Sequence, residues 1–190
     1  MSIQSVAVLF DNTDRPETTG VYVRRALGEL VQVDHYLPNA LQELRNAPYD
    51  LYLQVDDGHD AVLPEQLRPI AFWAIDTHMD LDRYRRIAHR YDWIYTAQRD
   101  GAEALQKIGV PAIWLPLACD PFFHRRHEVP KQYDLAFIGN MVSGSRADLV
   151  YFLQQQFPNM LIDRRYFAEM AQAYSSARIV FNQSINDQPP

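Results

Sequence analysis

The chain has a single cysteine, Cys119, among its 190 residues. One cysteine excludes an internal disulfide framework and is typical of a reducing compartment, so we expect a cytoplasmic location. Cys119 has no convincing base beside it in the sequence. We therefore expect it to be a buried structural thiol and not a reactive one.

The sequence also lacks an excess of positive charge and a long apolar run. It has 18 Lys and Arg against 24 Asp and Glu, a formal net charge of -6. Binding to nucleic acid needs a concentrated face of Lys and Arg, so nucleic acid is not an expected partner. The first apolar run, residues 6–10, is too short to span a membrane and follows no basic region, which favours a buried strand over a signal peptide.

Glycine is scarce, with seven residues, and neither a G-x-G-x-x-G nor a Walker pattern is present. Dinucleotide binding and ATP hydrolysis are accordingly weak interpretations. Hydrophobic residues make up 47% of the chain, enough for a sizeable core.

Apolar segments with the lengths of strands alternate with segments of helical periodicity over the first part of the chain. Near-continuous apolar strands in this order predict a parallel sheet covered by helices on both faces. We therefore predict a doubly wound α/β domain over residues 1–118. The predicted strands are residues 6–10, 31–37, 51–55, 70–75, 93–97 and 112–117.

Polar residues and glycine mark the expected ends of the helices. Asp80 precedes a helical stripe and is predicted to cap it, and Asp100 is predicted to cap the next helix. Asn39 with Gln42 resembles a capping box. Gly109 stands where a left-handed residue is expected to end a helix.

A charged segment with two prolines, residues 119–132, is predicted to be a linker. A new alternation of strands and helices begins at residue 133, with strands predicted at residues 135–138, 160–162 and 179–181. Because a parallel sheet needs more crossovers than this stretch offers, residues 133–190 are expected to form a partial second domain.

The strongest local motif follows the strand that ends at Gly139 and Asn140. Small residues 143–145 lead into a helix, an arrangement that places free N–H groups and the positive end of a helix around an anion. Arg146 could add a bidentate phosphate contact. On local spacing alone, an ordinary turn with a serine cap is favoured. Asn182 and Ser184 could face the same loop, although turn chemistry explains them equally well.

Asp76 and His78 follow the fourth predicted strand, where open parallel sheets bind ligands. His78 could exchange protons near neutral pH, and Asp76 could stabilise developing positive charge. A turn cap and a solvated loop residue explain them equally well. A metal site built from these two residues with Asp80 and Asp82 is less favoured than helix capping, so no metal site is predicted.

Two further polar clusters end neighbouring strands. A turn is favoured over metal ligation for the acidic cluster around Gly58, and the residues that end the first strand could line the same cleft. The residues concerned are Asp56, Asp57, His59 and Asp60 in the cluster, and Asp11 and Asn12 after the first strand.

Several of these segments, taken in order, resemble the CgeB-like (spore maturation protein type) branch of the GT-B glycosyltransferases. Each segment by itself is only weakly specific to this branch, whereas the order and spacing of the segments together are moderately specific. The segments are FWAIDTH at 72–78, YDWIYTA at 91–97, Gly109 onward into WLPLACD at 114–120, DLAFIGN at 134–140 with Arg146, and ARIVFNQS at 177–184.

The resemblance implies two Rossmann-like domains, with the acceptor mainly on the first and a nucleotide-sugar donor mainly on the second. It implies that Gly139, Asn140 and Arg146 lie near the donor diphosphate and that Asp76 and His78 face the reacting sugar. It implies no bound metal or other cofactor. In such enzymes the segment of Asn182 and Ser184 leads into a helix whose acid binds the donor ribose. This chain ends at Pro190 instead, so we expect either a fragment or an unusually small second domain.

The sequence thus favours a glycosyltransferase, or its N-terminal portion, that uses a nucleoside diphosphate sugar and an unknown acceptor. The alternative is a non-catalytic α/β binding or partner-docking module. A metal-dependent hydrolase that uses Asp76, His78 and Asp80 is a third hypothesis. An unfinished sheet edge could also pair with another chain, which makes a homo-oligomer a possible state.

Overall fold

The computed structural model of the chain describes residues 2–10, 18–58, 63–64, 66–141 and 144–183. These residues form two compact units, Met1–Ala118 and Cys119–Pro190. The first unit ends at the residue where the predicted first domain ends. Several residues named above lie outside the described residues, namely Asp11, Asn12, His59, Asp60, Ser143 and Ser184.

The first unit contains a six-stranded parallel sheet with the order β2-β1-β3-β4-β5-β6. The predicted doubly wound α/β fold is confirmed. The strands are β1 (Ser5–Leu9), β2 (Gln32–Tyr36), β3 (Leu51–Val55), β4 (Ile70–Ala74), β5 (Trp93–Thr96) and β6 (Ala112–Trp114). The helices are α1 (Thr19–Leu27), α2 (Leu81–Ile87) and α3 (Arg99–Lys107), with 3-10 turns at Pro38–Ala40, Glu43–Asn46 and Ala88–Arg90.

Helices lie on both faces of this sheet. Helix α1 packs on the face that carries Val8 and Val55, whereas α2 and α3 pack on the face that carries Phe72 and Ile94. Right-handed crossovers explain the division, because the β1–β2 connection must lie opposite the connections that follow β3. On the α1 face, the sheet beyond β3 borders an apolar cavity of about 580 Å³.

Two of the predicted helix ends are confirmed and two are wrong. Asp80 caps α2, where its carboxylate accepts a 2.8 Å hydrogen bond from the N–H of Arg83. Gly109 has a φ of +87°. Asp100, however, lies inside the first turn of α3, which begins after Gln98. Asn39 lies within the 3-10 turn Pro38–Ala40 and caps no helix.

The second unit contains a three-stranded parallel sheet with the order β8-β7-β9. Its core joins Leu135 and Phe137 of β7 to Val150 and Met160. Helix α4 packs on the side of Phe137, and right-handed crossovers place α5, which connects β8 to β9, on the opposite face. The elements are β7 (Tyr133–Ile138), α4 (Ser145–Gln156), β8 (Met160–Asp163), α5 (Phe167–Ser176) and β9 (Ala177–Val180).

The predicted linker packs against this second unit. The rings of Phe123 and Phe167 are 4.8 Å apart between centroids, and the N–H of His127 donates to Ser175 Oγ at 2.9 Å. The prediction of a buried Cys119 is wrong, because this residue is exposed at the start of the segment. Among the helices of the described ranges, none is long and apolar enough to cross a membrane.

Candidate functional site

The strand order of the first unit locates the edge at which a ligand is expected. The order reverses between β1 and β3, and open α/β sheets bind ligands outside the carboxyl ends of the strands at such a point. Strand β1 is followed by Phe10, a buried non-glycine residue with a φ of 64°. Strand β3 is followed by Asp56, whose carboxylate accepts hydrogen bonds from the backbone around it.

Asp56 is a buried carboxylate, with 4% of its side chain exposed. Its Oδ1 accepts from Arg83 Nη1 at 3.0 Å and from the N–H of Gly58 at 3.1 Å. Its Oδ2 accepts from the hydroxyl of Tyr84 at 2.5 Å and from the N–H of Ile75 at 3.3 Å. One side chain therefore joins the end of β3, the end of β4 and the first turns of α2.

The phenol of Tyr84 is held in its neutral form by this arrangement. Burial raises the pKa of Tyr84, and the hydrogen bond to Asp56 raises it further. The charge of Asp76 acts in the same direction and that of Arg83 in the opposite one. The charges of Asp76 and Asp56 therefore both act on the phenol of Tyr84.

The loop after β4 is held from a second direction by Gln98. Its Nε2 donates to the carbonyl oxygen of Ile75, and its Oε1 accepts from Thr77 Oγ1 at 3.1 Å. Thr77 is buried at 2% exposure. Helix α3 approaches so closely that a Cβ on Gly101 would lie 2.0 Å from Thr77 Oγ1. Only glycine fits at this position without a shift of the loop or the helix.

Asp76 and His78 are exposed on either side of the buried Thr77. The turn that carries them is closed by a 2.9 Å hydrogen bond from the N–H of Met79 to the carbonyl oxygen of Asp76. The structure thus places the predicted pair at the carboxyl end of β4, on a loop that is fixed from both sides. A fixed loop with exposed acid and imidazole groups can position a proton acceptor beside a substrate.

The predicted preference for a turn at Gly58 is confirmed, since its N–H binds Asp56. The partners of Asp56 in α2 were missed by the sequence analysis. Arg83 and Tyr84 are 27 and 28 residues away along the chain, so no local pattern could join them to Asp56. The only signal was a carboxylate placed directly after a buried strand. Within the described ranges, no three His, Cys, Asp or Glu residues are grouped to hold a metal ion.

In the second unit, Arg146 joins two of the predicted donor-site segments. Its Nη1 donates to the carbonyl oxygen of Asn140 at 3.4 Å, and its Nη2 donates to that of Gln183. These carbonyls follow β7 and β9, so the predicted residues Gly139, Asn140, Arg146 and Asn182 share one end of this sheet. Asn182 is exposed there. The buried Nε of Arg146 has no hydrogen-bond partner among the described residues.

The start of α4 lies at the same end of the sheet. Gly144, with a φ of +110°, occupies the N-cap position, so the predicted serine cap is wrong. A glycine cap supplies no side-chain acceptor to the N–H groups of the first helical turn. Gly139 packs closely as well, because a Cβ there would lie 3.2 Å from the ring of Phe137. The segment combines the positive end of a helix with a nearby guanidinium, the components of an anion site.

A scan of the chain against protein-family models finds no match. A search of curated proteins finds no match either. The assignment of a function therefore depends on the residues and geometry of the two units.

Proposed function

We propose that the chain acts in glycosyl transfer from a nucleoside diphosphate sugar. In this proposal the second unit binds the donor diphosphate, and the first unit supplies Asp76 and His78. The observation that carries it is the presence of two parallel α/β units, each with polar groups at the carboxyl ends of its strands, where such sheets bind ligands. The sequence resemblance to GT-B glycosyltransferases supports the same function.

The donor diphosphate would bind at the start of α4. The positive end of the helix favours an anion, and Arg146 adds a full positive charge. The same groups would stabilise the charge that develops on the leaving diphosphate. Asn140 and Asn182 at this end of the sheet offer neutral polar contacts.

Asp76 and His78 would serve the transfer step. The imidazole of His78 would accept the proton of the hydroxyl group on the acceptor molecule, while the oxygen of that hydroxyl bonds to the anomeric carbon of the donor sugar. The bond between that carbon and the diphosphate oxygen breaks, and the nucleoside diphosphate leaves with the bonding electrons. The carboxylate of Asp76 would stabilise the positive charge on the sugar ring.

Isothermal titration of the full chain with UDP and with GDP tests the donor site. We expect one of the two nucleotides to bind, and Arg146→Ala to weaken its binding by about tenfold, because a charge-assisted phosphate contact is lost. Arg178→Ala is the matched control. Arg178 also belongs to the second unit, but it lies on β9 and pairs with Asp134, so its removal should leave nucleotide affinity unchanged.

Two results would contradict the proposal. One is the absence of heat with UDP, GDP and their sugars. The other is an equal loss of affinity in the Arg146→Ala and Arg178→Ala variants, which would indicate nonspecific attraction to positive charge. Either result would favour the alternative of a non-catalytic binding module.

A further inference from the structure

Strands β7 and β8, with helix α4 between them in the chain, form a parallel β-α-β unit. In the register of the two strands, Ile138 lies opposite Asp163. The N–H of Gly139 donates to the carbonyl oxygen of Asp163 at 3.0 Å. The end of β8 therefore lies directly beside the residue that opens the loop toward α4, at whose start the donor diphosphate is proposed to bind.

The carboxylate of Asp163 is held in place by the two residues that follow it. Its Oδ1 accepts from the N–H of Arg164 at 2.7 Å, and its Oδ2 accepts from Arg165 Nε at 2.6 Å. These hydrogen bonds lower the pKa of Asp163, the bond from Arg164 most of all. The side chain is therefore ionised at neutral pH. It is 36% exposed, so a ligand can reach it.

The carboxylate is suited to a neutral ligand group that donates a hydrogen bond. An ionised carboxyl group has about four lone-pair sites and no donor, and Arg164 and Arg165 use two of these sites. The guanidinium of Arg165 also offsets the negative charge of Asp163, which would otherwise repel a diphosphate nearby. A hydroxyl group attached to the same ligand as the diphosphate meets both conditions.

The ribose of a nucleotide carries such hydroxyl groups. In β-α-β units that bind nucleotides, the phosphates lie at the start of the helix, and an acid at the end of the second strand accepts from a ribose hydroxyl. The corresponding positions in the second unit are the start of α4, which follows Gly144, and the end of β8 at Asp163.

We infer that Asp163 accepts a hydrogen bond from the ribose 2′-hydroxyl of the donor nucleotide and makes the site selective for ribonucleotides over 2′-deoxyribonucleotides. The inference rests on the proposed function, because it takes the diphosphate to lie at the start of α4. It differs from the family resemblance, which implies that an acid in a helix after Ser184 binds the ribose. Substitution of Asp163 separates the two assignments.

Isothermal titration of the full chain with two pairs of nucleotides tests the selectivity. The pairs are UDP with 2′-deoxy-UDP and GDP with 2′-deoxy-GDP. For the base that binds, we expect the ribonucleotide to bind about tenfold more tightly, because the deoxy analogue leaves a hydrogen bond to a charged acceptor unmade. This measurement uses the unsubstituted chain and does not depend on the folding of a variant.

Asp163→Asn tests whether this residue causes the selectivity. Asparagine keeps the size of the side chain but removes the charge of the acceptor, and hydrogen bonds to ionised groups are about twice as strong as neutral ones. The ratio of the two affinities should therefore fall to about threefold or less. The matched control is Asp148→Asn, which removes the same charge from an exposed acid in the first turn of α4 and should leave the ratio unchanged.

The possible failures of the inference and of the proposed function differ. If neither UDP nor GDP binds, the proposed donor site is wrong and the inference is wrong with it. If a nucleotide binds but its deoxy analogue binds equally well, only the inference is wrong. The inference is also wrong if the tenfold ratio persists in Asp163→Asn, since another acid would then bind the ribose, or if Asp148→Asn lowers the ratio equally.

Discussion

The two candidate sites share a position at the carboxyl ends of parallel strands, but they are held in different ways. In the first unit, the buried Asp56 and the side chain of Gln98 bind the backbone, and the proposed catalytic residues Asp76 and His78 are exposed. In the second unit, Arg146 donates hydrogen bonds to the loops after β7 and β9 and also carries the charge that the proposed diphosphate would contact. In the first unit, the residues that support the loop differ from those proposed to act on a substrate. In the second unit, Arg146 would do both.

This difference has a functional consequence for the proposed donor site. A diphosphate that binds Arg146 must share or replace the guanidinium contacts with the carbonyl groups of Asn140 and Gln183. Binding would therefore be coupled to the conformation of the loops after β7 and β9. The loop that carries Asp76 and His78 needs no such change, because the side chains that bind its backbone, Asp56 and Gln98, are not the ones proposed to contact the substrate.

The largest effect is expected from removal of the Asp56 carboxylate. Asp56→Ala removes a carboxylate that pairs with the guanidinium of Arg83, which is 11% exposed, and it removes the acceptor of the N–H of Ile75. We expect the free energy of unfolding to fall by about 3 kcal/mol, as measured by urea denaturation. The control Asp82→Ala removes an exposed carboxylate from α2, the helix that carries Arg83, and should cost much less. Equal losses in the two variants would show that Asp56 does not hold the site.

Gly101→Ala tests the second support of the same loop. In the interior of a helix this change usually stabilises by about 0.5–1 kcal/mol, but here the new Cβ would collide with Thr77. We expect a loss of about 2 kcal/mol instead. Gly28→Ala, at a right-handed helical φ of -64°, is the control and should be close to neutral.

A double variant identifies the cause of the Gly101→Ala loss. Thr77→Ala removes the Oγ1 atom that lies nearest the new Cβ. If the collision is the cause, the combined variant should be more stable than the sum of the two separate losses predicts. Strict additivity would mean that Oγ1 is not the cause, and the contact with the remaining Cβ of residue 77, 2.8 Å from the new Cβ, would then be the next one to test.

The sequence predicted those parts of the fold that depend on near neighbours. Strand β4 was predictable because its five residues are apolar and buried on both faces. The cap formed by Asp80 was predictable because its partner lies three residues away. The same reasoning from near neighbours failed at Asp100, since α3 begins at Arg99, two residues earlier than a cap at Asp100 would indicate.

The sequence predicted where the candidate site lies, but not which contacts hold its loop in place. The end of β4 pointed to Asp76 and His78, because strand ends converge at one edge of a parallel sheet. The support from Asp56 depends on partners in another element, and the exposure of Cys119 depends on how the following segment packs. Such contacts are decided by tertiary structure, and no periodicity in the sequence encodes them.

The smallest expected effect belongs to Arg146→Ala, and it tests the contrast between the sites directly. Loss of two hydrogen bonds to carbonyl groups should cost about 1 kcal/mol, since those carbonyls can bind water instead. The clearer readout is amide hydrogen exchange, which should accelerate around Asn140 and Gln183 and stay unchanged around Ile75. Arg178→Ala should accelerate neither region. If exchange near Asn140 and Gln183 is unaffected by the loss of Arg146, these loops have supports of their own, and a diphosphate could bind the guanidinium without any cost in loop order.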